Sequence, residues 1–183
     1  TGGDWKPIIH RVFTRIMAAS GRGDNLTVCV VKDSNFNAGA LLSGHFVIHT
    51  RTLEDFAAIA KASSANDSAR ETAIRELLLA GIVGHELAHY YNQHAFKKYQ
   101  KFNTLSQGKS DRDIVLESLK NSREFELDAD KTGHYLLQKA GYNADYAIVY
   151  AFEVMRASDG NAGTPQHYYL ATHPNTRERM AQF

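Results

Sequence analysis

The sequence predicts a predominantly helical α+β domain in which a small β-sheet packs on one long apolar helix. Three observations predict this fold class. Apolar residues recur at helical spacing over most of the chain, only two short runs are rich in β-branched residues, and Gly, Asn and Ser separate the segments. With 183 residues, we expect a single domain over the whole chain, with residues 1–3 as a processing remnant.

The N-terminal half is predicted to contain a helix, two strands and a second helix. Residues Ile8–Ala19 have apolar side chains at helical spacing and end near a glycine, which predicts the first helix. The β-branched run Leu26–Val31 and the alternating run Phe46–Thr50 predict strands, with residues 35–44 as a loop between them. Thr52, followed three positions later by an acidic residue, is typical of a helix N-terminus.

The C-terminal half is predicted to be helical. A long helix from about Ala69 to Tyr99 is apolar on most of its circumference. Helical patterns return over Arg112–Leu137, which is followed by a glycine, and over Ala144–Ala157. His173 precedes Pro174, so it is biased to an extended conformation ahead of a last short helix.

Composition excludes several classes of protein. The hydrophobic fraction is 43% and the formal net charge is +1, so we expect neither a disordered chain nor a nucleic-acid-binding one. No apolar run approaches the roughly 18 residues that a membrane helix requires, so no membrane span is expected in this chain. Membrane association is expected only through a segment that precedes Thr1.

The stretch HELAH, residues 85–89, is the strongest functional signal. Residues four apart share a helix face, so His85 and His89 can direct both imidazoles at one ion, with Glu86 placed to act on a metal-bound water. The alternative is a surface helix with unpaired side chains. The apolar flanks argue against it, because burying these three groups without a cation is costly.

The acidic stretch SREFELDAD, residues 122–130, offers a third ligand. Its carboxylates form two pairs at helical spacing, Glu124 with Asp128 and Glu126 with Asp130. Most such clusters are solvated surface. Next to an HExxH helix, one carboxylate could instead bind the metal and another could orient a ligand histidine. The spacing does not choose between Glu124 and Glu126.

Three motifs, HELAH, SREFELDADKTG and ATHPNTRER, occur in this order, and together they resemble metallopeptidase family forty-eight, the HtpX and CAAX prenyl endopeptidase group of gluzincin-type zinc proteases. The stretch DSNFNAGALLSGHFVIHTRTL resembles that family's strand region, so the resemblance covers nearly the whole chain. It implies a zincin-like minimal catalytic domain that binds one Zn²⁺ ion. It further implies the soluble branch, which includes periplasmic and envelope quality-control proteases.

Carried onto this sequence, the resemblance implies that His85, His89 and Glu126 bind zinc. It implies that Asp130 supports the ligands from behind and that Glu86 is the general base. Two imidazoles and a carboxylate suit zinc without excluding manganese or cobalt.

The THP motif carries further implied roles. His173 is expected over the site, where it either stabilises the oxyanion or occupies the open metal position, and Arg179 closes the motif. Tyr168 and Tyr169 are candidates for the cleft. The chain departs from the family pattern at three places, none a proposed ligand: Gly39, Leu42-Ser43 and Asp128.

An extended polypeptide is the expected partner. The strand Phe46–Thr50 is predicted to be exposed and to pair with it. The predicted substrate-binding residues are Asn37, Ala38, Gly44, Phe46 and Ile48. Asn37 could equally be a turn residue. Among the other histidines, His94 lies five positions beyond His89 and is expected at the surface or behind a ligand; His45, His49 and His134 are not expected to bind the metal.

The predicted function is that of a zinc-dependent endopeptidase that hydrolyses peptide bonds through a metal-activated water, with Glu86 as general base. Its expected role is quality control of unfolded or misassembled polypeptides, in the periplasm or cell envelope. Two alternatives stay open: a metal-stabilised, inactive scaffold that binds clients, and a latent enzyme in which His173 blocks the open zinc position.

Overall fold

The computed structural model describes residues 4–105 and 111–160 together with Arg179 and Ala181. Helices form most of this part of the chain and one small sheet completes it, so the predicted helical α+β class is confirmed. No helix of the described residues is both long and apolar enough to cross a membrane. In chain order the elements are α1 (Lys6–Ser20), β1 (Thr27–Val31), β2 (Ala38–Ala40), β3 (His45–His49), α2 (Thr50–Ser63), α3 (Ser68–Tyr91), α4 (His94–Leu105), α5 (Asp111–Lys139) and α6 (Ala144–Gly160).

The sheet has the strand order β1-β3-β2, with β1 parallel and β2 antiparallel to β3. Because β3 is the central strand, both of its edges are paired, and Phe46 and Ile48 are fully buried on its inner face. Phe46 meets Phe13 of α1 edge to face at 4.7 Å, which holds α1 against the sheet. The prediction of an exposed strand at residues 46–50 is therefore wrong, and the predicted loop at 35–44 contains the outer strand β2.

Helix α3 is the element on which the others pack, since α1, α2, α5, α6 and β2 all contact it. Asp67 caps its N-terminus, where the carboxylate accepts hydrogen bonds from the backbone N–H groups of Ala69 and Arg70. Every residue from Leu78 to Ala88 is buried, because neighbouring elements cover the helix on all sides. This burial places HELAH in the core, as its apolar flanks predict.

Two glycines allow the backbone of α3 to lie close to the backbones of α5 and α6. A Cβ on Gly81 would lie 2.2 Å from the backbone oxygen of Ala147 in α6, and a Cβ on Gly133 of α5 would lie 3.0 Å from the backbone oxygen of Gly84. Side chains at these crossings would force two helix backbones apart.

We predict that Gly81→Ala lowers the free energy of unfolding by about 3 kcal/mol, because the added methyl group overpacks a backbone contact. Urea denaturation measures the change. Gly23→Ala is the matched control, since no atom lies within 4 Å of its Cβ position. An unchanged midpoint for Gly81→Ala would contradict the close packing of α3 on α6.

Helix α2 begins two residues earlier than predicted, so Thr52 lies inside the first turn and does not cap it. Thr52 is fully buried, and its hydroxyl donates a hydrogen bond of 2.8 Å to the backbone oxygen of Asn37. The same hydroxyl accepts a hydrogen bond of 2.9 Å from the Asn37 N–H. This tether fixes the start of β2 to α2, and sequence spacing gave no signal for it.

The predicted continuous helix from 69 to 99 is in fact two helices, α3 and α4. Gln93 adopts a left-handed conformation with φ of +56°, and α4 begins at His94. The backbone N–H groups of Asn92 and Gln93 donate to carbonyls of the last turn of α3, which closes the turn. Because of this break, the His94 side chain lies beside His89 in the last turn of α3.

Candidate metal centre

His85 and His89 of α3 and Glu126 of α5 converge, each with one donor atom, into a group that could hold a metal ion. Nε2 of His85 lies 3.0 Å from Nε2 of His89, and the two oxygens of the Glu126 carboxylate face one nitrogen each, with Oε2 3.3 Å from His85 Nε2 and Oε1 3.3 Å from His89 Nε2. A tetrahedral zinc ion with bonds of 2.0–2.1 Å separates its ligand atoms by about 3.3–3.4 Å. The two Nε2 atoms and the Glu126 carboxylate thus lie close enough together to surround one such ion, with one donor atom from each residue within 4.8 Å of the others.

The burial of these donors supports the same conclusion. The side chains of His85 and Glu126 are fully buried, and that of His89 is 12% exposed. A buried carboxylate is costly without positive charge beside it, and a bound cation among these donors would add to the charge that Arg179 provides 3.1 Å from a Glu126 oxygen. The donor set therefore fits a divalent cation both in geometry and in charge.

Helix α5 provides the carboxylate through its buried face. Glu126 is fully buried against α3, whereas Glu124, two residues earlier, is exposed. Spacing in the sequence left both candidates open. Glu126 is the one that reaches the two histidines.

Asp130 and Arg179 contact the donor residues directly, and the Arg179 guanidinium lies 3.2 Å from Nε2 of His85. The Asp130 carboxylate lies 2.9 Å from Nδ1 of His85, which leaves Nε2 of that ring facing the other donors. Arg179 binds Asp130 through two hydrogen bonds of 2.7 Å and approaches a Glu126 oxygen at 3.1 Å. The guanidinium also lies 4.2 Å above the ring centre of Phe152. One cation therefore serves two buried carboxylates.

Without a metal, the two rings differ in proton affinity. Burial and the Arg179 charge oppose protonation of His85, but hydrogen bonds to Asp130 and Glu126 outweigh them and raise its pKa from 6.5 to about 9. Burial is the main cause that lowers the pKa of His89 to about 4. At neutral pH, the metal-free His85 ring is therefore protonated on both nitrogens, and an incoming metal must displace the proton on Nε2.

We predict that loading the metal-free protein with Zn²⁺ at pH 7.5 releases about one proton and that zinc affinity rises about tenfold per pH unit toward pH 9. The raised pKa of His85 stabilises the metal-free fold fully below pH 6.5, and this contribution is lost as the pH rises through about 9. Titration calorimetry in buffers with different protonation enthalpies counts the protons. A count near zero would contradict a protonated His85.

The carboxylate of Glu86 borders strand β2. Glu86 is 4% exposed, and its Oε2 lies 3.9 Å from the position of a Cβ on Gly39. Glu86 thus sits next to His85 in the sequence and is not one of the three converging donors. Gly39 therefore brings backbone without a side chain close to this carboxylate.

A sequence model of peptidase family M48 matches residues 6–109 and, with a short overlap, residues 98–183. The chain belongs to peptidase family M48. Comparison with curated protein sequences gave no match. Membership makes the protein a metallopeptidase with a polypeptide substrate, and it agrees with a metal centre at the converging His, His and Glu side chains.

This M48 peptidase has a third histidine beside the converging donors. Nδ1 of His94 lies 2.9 Å from Nδ1 of His89, and Nε2 of His94 lies 3.0 Å from Oδ2 of Asp128. Burial lowers the pKa of His94 although Asp128 opposes that shift. The sequence left a surface or a supporting position open for His94. With 1% exposure and a contact to His89, its position is the supporting one.

The other candidate residues of the M48 peptidase lie apart from the three donors or outside the described residues. His173, Tyr168 and Tyr169 belong to the latter group. The histidines that were not expected to bind metal have partners elsewhere: His45 with Ser43, His49 with Asn35, and His134 with Asp145.

The predicted substrate-binding set needs a correction. Phe46 and Ile48 are fully buried in the central strand, so they cannot touch a substrate. Gly44 lies in the turn between β2 and β3, with φ of +78°. Asn37 and Ala38 lie where the outer strand β2 begins.

Proposed function

We propose that this M48 peptidase is a zinc-dependent endopeptidase in which His85, His89 and Glu126 are the ligands and Glu86 is the general base. The observation that carries the proposal is the convergence of three buried groups: the two Nε2 atoms lie 3.0 Å apart, and each lies 3.3 Å from one oxygen of the Glu126 carboxylate. Two imidazoles and one carboxylate would hold the ion with three protein ligands, the number that is usual in catalytic zinc sites.

Bound zinc would supply the Lewis acidity that polarises a peptide carbonyl and makes water acidic enough to react near neutral pH. Glu86 supplies the proton transfer: its carboxylate accepts the proton of the attacking water and passes it to the departing amine. Asp130 keeps the proton of the His85 ring on Nδ1, so that Nε2 presents its lone pair to the metal.

The substrate, in this proposal, pairs with strand β2. β2 is an outer strand of the sheet and the strand in closest contact with α3, and an outer strand can add an extended peptide through backbone hydrogen bonds. Asn37 and Ala38 begin this strand, and Thr52 holds it in place. Gly39 brings bare backbone next to Glu86, so a paired peptide would pass close to the general base.

The finer role is proposed from the resemblance to the HtpX-like soluble branch. It favours quality control of unfolded or misassembled polypeptides in the periplasm or cell envelope. His173 is proposed to stabilise the oxyanion that forms in the reaction. Substitution of His173 by Ala then lowers turnover, whereas higher turnover would favour a latent enzyme blocked by this side chain.

Cleavage of a casein-type unfolded substrate tests the proposed function. We predict that a chelator abolishes cleavage and that about one equivalent of Zn²⁺ restores it. A folded, stable protein of similar length is the control substrate and should resist cleavage. If the zinc-loaded chain binds the unfolded substrate without cutting it, the scaffold function replaces the enzyme.

A further inference from the structure

We infer that His94 and Asp128 form a hydrogen-bonded chain that fixes the His89 ring for metal binding, which makes both of them positioning residues of the centre. The inference rests on the proposed zinc site. Neither residue touches the three donor atoms directly, and the acidic cluster alone gave Asp128 no role.

Two hydrogen bonds connect the metal centre to the protein surface. His89 Nδ1 lies 2.9 Å from His94 Nδ1, and His94 Nε2 lies 3.0 Å from Asp128 Oδ2. The side chain of His94 is 1% exposed and that of Asp128 is 55% exposed. His94 is also stacked on Phe125, with ring centres 4.7 Å apart and planes 27° from parallel. The ring orientation of His94 is therefore fixed by packing as well as by hydrogen bonds.

The identity of the atoms fixes where each hydrogen lies. An ionised carboxylate only accepts hydrogen bonds, so the neutral His94 ring carries its hydrogen on Nε2 and points it at Asp128. Nδ1 of His94 is then an acceptor, and the facing Nδ1 of His89 must be the donor. The Nε2 atom of His89 is left with its lone pair directed at Glu126 and His85. This is the tautomer that a metal ligand needs.

The rings of the two proposed ligand histidines are thus oriented by different hydrogen bonds. Asp130, buried and bound to Arg179, acts directly on Nδ1 of His85. Asp128 acts on His89 through the intervening imidazole of His94. The contact between His94 and His89 depends on the break after α3, because on a continuous helix His94 would lie about 140° around the axis from His89.

The test compares two replacements of His94. Phe retains an aromatic ring that can stack on Phe125 but has no acceptor for the His89 N–H. Asn places an amide oxygen near the Nδ1 position, which retains that acceptor but cannot reach Asp128. We predict that His94→Phe weakens Zn²⁺ binding by about 10–100-fold, whereas His94→Asn stays within about threefold of the unsubstituted chain. Competition with a chromophoric chelator measures both affinities without using peptidase activity.

A second comparison tests Asp128. Asp128→Ala should weaken zinc binding in the unsubstituted chain and have little further effect in the His94→Asn background, where the link is already cut. Glu124→Ala is the matched control, since it removes an exposed carboxylate one turn away on α5. Equal losses of zinc affinity in Asp128→Ala and Glu124→Ala would show that Asp128 acts only through its negative charge, and would overturn its role in orienting His94.

Nitrogen NMR of histidine-labelled protein provides a signature that packing alone would not change. In the unsubstituted chain, His89 should appear with hydrogen on Nδ1, and in His94→Phe it should become a mixture of tautomers. Unchanged zinc affinity in His94→Phe, or equal losses in His94→Phe and His94→Asn, would overturn the inference. Failure of the unsubstituted chain to bind zinc would instead overturn the proposed function, and this inference with it.

Discussion

Replacing Glu86 by Gln is expected to lower kcat/KM for peptide cleavage by roughly 10²–10⁴-fold, the range that a general base contributes. The amide has nearly the same size as the carboxylate but cannot accept a proton from water. Zinc binding should persist, because Glu86 is not among the three converging donors. Initial rates on a quenched fluorescent peptide, with zinc content measured on the same samples, give both quantities.

Glu124→Gln provides the control for this experiment, since it neutralises an exposed carboxylate on the same M48 peptidase. It should leave kcat/KM unchanged. Cleavage that persists in Glu86→Gln with full zinc content would remove Glu86 from the mechanism. Loss of zinc in that variant would mean that Glu86 has a structural role at the centre.

Replacing Arg179 by Met is expected to destabilise the metal-free protein by about 3–5 kcal/mol, the usual cost of breaking a buried ion pair. The guanidinium is 2% exposed and serves the carboxylates of Asp130 and Glu126 at once. Methionine retains an unbranched stem that can pack on Phe152 but removes the guanidinium from both carboxylates, which keep only the protonated His85 ring as a cation beside them. Urea denaturation of metal-free samples at pH 7 measures the loss.

The pH dependence of this effect distinguishes charge from packing. Burial raises the pKa of Asp130, but the hydrogen bonds from Arg179 and His85 outweigh it, so the pKa lies below 3.8. A depressed carboxyl pKa contributes stability above pH 3.8 that is lost as the pH falls. The difference between Arg179→Met and the unsubstituted chain should therefore narrow below about pH 4. A difference that stays constant down to pH 2 would identify packing as the cause.

The parts of the fold that follow from local chemistry could be predicted from the sequence. Apolar periodicity gave α1, α5 and α6 to within a few residues, and it placed HELAH in a buried helix. The four-residue spacing of His85 and His89 needs only helix geometry to bring two imidazoles together. The choice of Glu126 needed either the family resemblance or the structure, because both acidic pairs of α5 have the same spacing.

The parts that were missed depend on contacts between distant segments. β2 is only three residues long and lacks β-branched side chains, so it forms because β3 pairs with it and Thr52 binds Asn37. The break between α3 and α4 has no Gly or Pro, and Gln93 adopts its left-handed conformation without a local signal. His94 gains its place beside His89 only through that break.

Zinc-edge anomalous diffraction from a crystal of the zinc-loaded protein would locate the metal ion itself. We predict one strong peak about 2.0–2.2 Å from Nε2 of His85, Nε2 of His89 and a carboxylate oxygen of Glu126. A peak held by other side chains, or stoichiometric zinc with no density among these three, would contradict it.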